Sequence, residues 1–227
     1  MSSKESIARQ LFDVGAVCLD TKDGFALKLH ETNPHAARSP IKFNIRPPGT
    51  KGGRVPETLF RELGEELVRL VMETDSSIRV LAGVPHAGDI LVDEMCVYAR
   101  VNLGVPDFAR VKLAKSEGGA QRRVTGLIDF VGTFPGGDDN KLALVDDLIT
   151  KADSKIESLD VLRAATFQTP YCFVLIDRGQ GGAEQLAKFG VALKSLYTME
   201  WLIDFYREEN LVTAEEHSVI TEYMQMA

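Results

Sequence analysis

Cysteine is scarce in this chain: Cys18, Cys96 and Cys172 are the only three in 227 residues, far apart and each set among apolar neighbours. An odd, scattered trio excludes a disulfide framework. With no CxxC and no Cys/His cluster there is no zinc signature either, so reduced, buried thiols are expected. Long apolar runs are missing too: none approaches the ~20 residues a membrane span needs. The opening MSSKESIARQLFD has no continuous apolar stretch of signal-peptide length, so the expectation is a cytoplasmic protein with no membrane partner. Net positive charge is absent, since 26 basic residues face 33 acidic ones for a formal charge of -7. That argues against nucleic acid or an anionic membrane as the main partner, and any anionic ligand must be met by a local basic patch. GxSxG, HExxH and GxxxxGK[ST] are all lacking, which leaves hydrolase and nucleoside-triphosphatase readings without support. Of the four histidines, His30, His35 and His217 have no acid or nucleophile at an informative spacing and are assigned to surface or packing roles.

What is present is enough apolar residue, 44% of the chain, to bury one sizeable core. Ile7, Leu11 and Val14 recur at helical spacing, which predicts an amphipathic helix over about 3–14. Alternating residues from Ala16 to Leu29 suggest short strands, and after the Asn33-Pro34 and Ser39-Pro40 breaks the IKFNIR stretch reads as another. Leu59, Leu63, Leu67 and Leu70 predict a helix over 56–72. Five apolar runs follow, IRVLAGVPHAG, MCVYARVNLG, RVTGLIDFVG, KLALVDDLIT and YCFVLIDRGQGG, each read as a strand closed by small or acidic residues. Helical stretches at 154–165 and 183–189 separate the later ones. The expectation is an α/β domain with a largely parallel sheet, one domain over 1–227, with two more helices at 198–207 and 214–224. The 135–140 cluster PGGDDN reads as a turn.

The most informative stretch is LALVDDLITKADS, 142–154, where a buried-type run ends in two acids. In an open α/β sheet, ligands sit outside the carboxyl ends of the strands, so Asp146 and Asp147 would face that crevice. A helix beginning near Ser154 would offer free N–H groups to an anion such as phosphate. Taken alone, the same residues could equally be acids that end a strand and a serine that caps a helix.

LVDDLITKADS resembles the phosphoribosyl-diphosphate motif of the type I phosphoribosyltransferases, and further stretches are similar, in family order, to the orotate branch. Those are Phe25-Ala26-Leu27-Lys28 followed by Ser39-Pro40-Ile41 and Arg46, then AGVPHAGDIL at 82–91, RVKLAKSEGGAQRR at 110–123, and IDRGQGG at 176–182. Together they span roughly residues 10 to 200. The resemblance implies a mostly parallel central sheet flanked by helices, with a small hood and base-binding segment at about 1–45 and a core at about 56–200. It implies transfer of phosphoribose from phosphoribosyl diphosphate to orotate, giving orotidine 5'-monophosphate and diphosphate. Asp146 and Asp147 would hold the ribose hydroxyls, while Thr150, Lys151, Ala152, Asp153 and Ser154 would cradle the 5'-phosphate. Pro85, His86 and Ala87 would form the pyrophosphate loop, joined by Arg110. Lys112 and Lys115 would be the catalytic cations of a mobile loop. Lys28, the backbone around Phe43, Thr150 and Arg178 would meet the base, with Arg178 gripping the carboxylate through two parallel hydrogen bonds.

The chemistry implied is electrostatic. A departing diphosphate accumulates charge that cations stabilise, and the two acids would sit beside an oxocarbenium-like carbon. Mg2+ is the implied cofactor, held through the diphosphate oxygens with Asp147 as the candidate protein ligand. A homodimer is implied because family members share the mobile loop across an interface, and a decarboxylase is a candidate partner. The chain departs from the family pattern at Lys151-Ala152-Asp153, where small uncharged residues are usual, and at Glu117, His86 and Ala87. Two other readings therefore stand beside the first: a paralogue acting on another base, and a nucleotide-binding protein of this fold without turnover.

Overall fold

The computed structural model describes residues 3–27, 30, 33–50, 52–103, 108–116, 124–131 and 140–226. The chain divides into two compact units, one of residues 1–60 with 198–227 and the other of residues 61–197.

In the first unit, helix α1 (Ser3–Asp13) buries Ile7, Ala8 and Leu11, the stripe its periodicity implies. Strands β1 (Val17–Leu19) and β2 (Ile41–Phe43) form a two-stranded antiparallel sheet in which Val17 faces Phe43. Helix α2 (Glu57–Thr74) starts immediately after Pro56, whose carbonyl accepts from the Phe60 N–H at 2.9 Å, and runs on into the second unit's range. The C-terminal helices that belong with this unit are α6 (Met199–Glu208) and α7 (Ala214–Met226). The buried Tyr206 donates its hydroxyl to the Ala8 carbonyl at 2.9 Å, and Arg9 pairs with Glu209 at 2.8 Å, so α6 closes onto α1. Thr213 and Glu216 exchange backbone and side-chain hydrogen bonds at the start of α7, a reciprocal cap legible as Thr-x-x-Glu.

The second unit holds a six-stranded sheet built from β3 (Val80–Gly83), β4 (Ala109–Lys115), β5 (Val124–Val131), β6 (Lys141–Ile149), β7 (Gln168–Asp177) and β8 (Ala192–Thr198). Their order across the sheet is β5-β4-β3-β6-β7-β8. β3 runs parallel to both β4 and β6, and β6 parallel to β7, while β5 is antiparallel to β4. Helices α3 (Ala87–Asn102), α4 (Asp153–Ala164) and α5 (Gly182–Lys188) cover it. Buried sheet strands require near-continuous apolar runs, and β6 shows one, with every residue from Leu142 to Asp147 buried. The expected α/β architecture with a mostly parallel sheet is the one observed.

Two expectations fail here. MCVYARVNLG is not a strand but the second half of α3, continuing as far as the helix's C-cap at Leu103. Leu91, Val92, Met95, Tyr98 and Ala99 are buried at three- and four-residue spacing while Val97 and Val101 are exposed, so a 3.6 period underlay what looked like an unbroken run. Lys112 and Lys115 lie not in a loop but on β4, where Ala109, Val111 and Leu113 are buried at the two-residue period of a strand. Residues 117–123 and 132–139, which hold Glu117 and most of the PGGDDN turn, lie outside the described residues.

Candidate active site

Strand order reverses between β3 and β6, since β4 lies on one side of that pair and β7 on the other. Such a switch point leaves a crevice at the carboxyl ends of the two strands, and the loops that follow β3 and β6 meet there. Val84, just past β3, donates its N–H to the carbonyl of Val145 on β6 at 2.8 Å. The turn from β3 into α3 is tight enough to require glycine. A Cβ on Gly83 would lie 2.4 Å from the Asp89 nitrogen, and one on Gly88 would lie 2.2 Å from the Val145 oxygen. In this turn Pro85 is buried, His86 exposed and half-buried Ala87 opens α3, with the Pro85–His86 peptide cis. Lys115 reaches the same turn, its Nζ 3.3 Å from the Pro85 carbonyl oxygen.

On the other side of the switch point, Asp146 and Asp147 are 6% and 8% exposed. A strand's pleat sends neighbouring side chains to opposite faces. Leu142 and Leu144 pack in one core cluster with Leu159 and Leu162 of α4, so Asp146 shares their face and Asp147 takes the other. Asp146 there meets Lys155, itself 4% exposed, whose Nζ pairs with Asp146 Oδ2 and also donates to the Leu148 carbonyl at 2.7 Å. Asp146 Oδ1 accepts from the Asp147 N–H at 2.9 Å, and Asp147 Oδ1 accepts from the Leu148 N–H at 2.8 Å. Burial opposes the Lys155 charge, but the Asp146 carboxylate outweighs it and holds the ammonium above its ordinary pKa.

The loop from Thr150 to Ser154 leads into α4, whose N-cap is Ala152 rather than Ser154. Asp153 is the first helical residue and is exposed, as is Lys151, so the acid complements the positive end of the helix dipole. The Ala152 N–H donates to Gln185 Oε1 of α5 at 2.7 Å. Arg178, 2% exposed, follows β7 and donates its backbone N–H to the Ile149 carbonyl at 3.0 Å, beside Thr150. Gly179 and Gly181 adopt positive φ, and a Cβ on Gly182 would crowd Ile149 at 2.5 Å and the Thr150 oxygen at 3.0 Å. The IDRGQGG run is thus a turn that only glycines can make against the β6 loop.

Facing β4, α3 presents Asp89 and Asp93 one turn apart. Asp93 pairs with Arg110, and Asp89 feels Lys112 and Arg110. Burial pushes the Asp89 carboxyl up to about 6, the two cations opposing this and Asp146 adding to it.

Within the second unit, the structure therefore brings together Pro85, His86, Ala87, Lys115, Asp146, Asp147, the 150–154 loop and Arg178, with Arg110 and Lys112 on the neighbouring strand. Phe43 lies on β2 in the first unit, and Lys28 lies outside the described residues. Sequence reasoning missed Lys155, Gln185 and Asp89. Lys155 did carry a signal, because a lysine in the first turn opposes the helix dipole and needs a local reason.

Among the described residues, no group of three or more His, Cys, Asp or Glu side chains could hold a metal ion. No described helix is long and apolar enough to cross a membrane.

No family model matches the chain. It is 32% identical over 124 residues to the orotate phosphoribosyltransferase of Halobacterium salinarum, covering 55% of this chain and 63% of that protein. To the orotate phosphoribosyltransferase of Listeria monocytogenes it is 25% identical over 228 residues, 98% of this chain and 96% of that one. The crystal structure of the Francisella tularensis orotate phosphoribosyltransferase superposes over the whole chain and 97% of its own, with a TM-score of 0.71 at 17% identity. In relatives at 30% identity or above the match is partial: the chain spans 44% of the Sulfolobus acidocaldarius protein's length and 63% of the Halobacterium one.

Proposed function

We propose that this chain is a type I phosphoribosyltransferase that transfers phosphoribose from phosphoribosyl diphosphate to orotate, giving orotidine 5'-monophosphate and diphosphate. One observation carries the reading: at the strand-order reversal the turn after β3 is tied to β6 by the Val84 N–H, which donates to the Val145 carbonyl at 2.8 Å, and Arg178 is anchored to Ile149 at the end of that same strand. Two anion-binding turns side by side suit a substrate with a phosphate at one end and a diphosphate at the other.

In this reading the N–H groups of 150–154 hold the 5'-phosphate, and Asp146 and Asp147 accept from the ribose hydroxyls. Pro85, His86 and Ala87 line the diphosphate. Lys112, Lys115 and Arg110 offset the charge that gathers on it as the glycosidic bond breaks; a Mg2+ ion, held through the diphosphate oxygens with Asp147 as the candidate protein ligand, would supply further positive charge. A ring nitrogen of orotate then attacks the oxocarbenium-like carbon. Arg178 holds the orotate carboxylate, with Thr150 beside it. Catalysis rests on positioning and electrostatics, with water excluded. The chain works in the cytoplasm as a homodimer, with an orotidylate decarboxylase as the candidate next enzyme.

The test is loss of orotate absorbance with phosphoribosyl diphosphate and magnesium, beside a magnesium-free control and a panel of other bases. Magnesium-dependent loss supports the assignment. Turnover of another base but not orotate replaces it with a paralogue. Silence throughout replaces it with a nucleotide-binding protein, a reading favoured by the occupation of the Ala152 N–H by Gln185.

A further inference from the structure

Both acceptors that Lys155 engages, Asp146 Oδ2 and the Leu148 carbonyl, lie near the end of β6, while Lys155 itself lies in the first turn of α4. It therefore clamps the two ends of the 150–154 loop from beneath. Stability alone is a poor reason for this arrangement. Burying an ion pair sacrifices hydration that an apolar pair would not, and the helix dipole disfavours a cation at this position. The arrangement also addresses an electrostatic difficulty of the site. Two adjacent carboxylates close to a phosphorylated, diphosphorylated sugar would repel it, since like charges at a few Å cost roughly 1 kcal/mol or more even at high effective dielectric.

We propose that Lys155 is the positioning residue of the ribose site: it neutralises Asp146 and fixes its rotamer, so that Asp146 enters the site as an oriented hydroxyl acceptor rather than as net negative charge. Oδ2 is turned to Lys155 and Oδ1 to the Asp147 N–H, which leaves only the outward lone pairs of a locked carboxylate for a sugar hydroxyl. Lys155 acts through Asp146 and touches no substrate. The inference rests on the reading that this crevice holds a phosphoribosyl group.

The experiment compares affinities for ribose 5-phosphate and for inorganic phosphate, by calorimetry, in the wild type, Lys155→Met, Asp146→Asn and the double variant. The wild type is expected to prefer ribose 5-phosphate. Lys155→Met and Asp146→Asn should each remove about tenfold of that preference. The double variant should lose no more than either single one. A structural lysine would instead weaken both probes alike or neither, and that outcome overturns the proposal. If Lys155→Met fails to fold, leaving a buried carboxylate unpaired, the comparison of Asp146→Asn with the double variant still decides: a further tenfold loss means Lys155 acts independently and the proposal is wrong. Orotate turnover by a wild type whose variants behave additively removes this inference alone. A wild type that binds neither probe and turns over no base removes the functional reading, and this inference with it.

Discussion

The backbone N–H of Arg178 donates to the carbonyl oxygen of Ile149 at 3.0 Å, which fixes the start of the Arg-Gly-Gln-Gly-Gly turn against the end of β6. The Arg178 main chain is thereby placed next to the residue that precedes Thr150. Arg178→Ala is expected to raise the orotate KM by tenfold or more, on the order of the 1.5–3 kcal/mol of a charge-assisted pair. Arg178→Lys should recover little of it, because an ammonium cannot make the planar two-point grip. Steady-state kinetics with orotate varied checks this, and an unaffected KM rejects the contact.

Lys115 reaches the turn after β3 through the Pro85 carbonyl, whereas Lys112 is exposed on the same strand. Lys112→Ala and Lys115→Ala are each expected to cut turnover by roughly a hundredfold, the scale of losing one transition-state donor. Binding of phosphoribosyl diphosphate should fall far less, since the charge they meet grows only as the bond breaks. Single-turnover rates set beside calorimetric affinities separate the two effects. Unchanged turnover in both variants would end the assigned role.

Gly88 sits where a side chain has no room, a Cβ there lying 2.2 Å from the Val145 oxygen. Gly88→Ala must push the α3 entrance off β6, and a loss of about 1–3 kcal/mol is expected from overpacking. Gly126→Ala is the control, because no atom lies within 4 Å of the place its methyl group would take. Urea denaturation midpoints compare the pair, and equal midpoints would contradict the steric argument.

Asp89 gives a pH signature. Burial first, and Asp146 after it, raise its carboxyl from the ordinary 3.8 to about 6 despite Lys112 and Arg110. Between those two values the folded chain keeps a proton that the unfolded chain has lost, so this residue's contribution to stability falls as pH rises through that window and is level above it. Asp89→Asn cannot ionise. Its thermal midpoint should match the wild type near about pH 4, gain on it up to about pH 6, and keep a constant lead above. A lead already complete at the acid end would refute the raised carboxyl.

Strands β3, β5, β6 and β7 and the order of the motifs were legible because they depend on local pattern, whereas β4 looked like a loop and β8 was not foreseen. Leu142 to Val145 had to be buried on both faces, and two acids at the end of such a strand in an α/β sheet had to lie near the ligand crevice. The glycines of 179–182 likewise announced a turn that the structure confirms with two positive φ angles. Illegible were the features set by registry between elements distant in the chain. MCVYARVNLG looked strand-like because a helix packed on a sheet and a short buried strand can show similar runs, and only its neighbours select the period. Lys112 and Lys115 became strand residues through pairing with β5.

The sequence by itself thus determined the fold class, the strand that carries Asp146 and Asp147, and the turns that flank it, since these follow from apolar period and from glycine's backbone freedom. Only the tertiary structure decided which face of the sheet Asp146 and Asp147 each take, that Lys155 comes up beneath Asp146, and that Asp89 is half-buried near Asp146 and two cations. The physical reason is that ionic partners are chosen by distance through space. Neither pleat direction nor helix docking angle is written in the spacing of the charged residues.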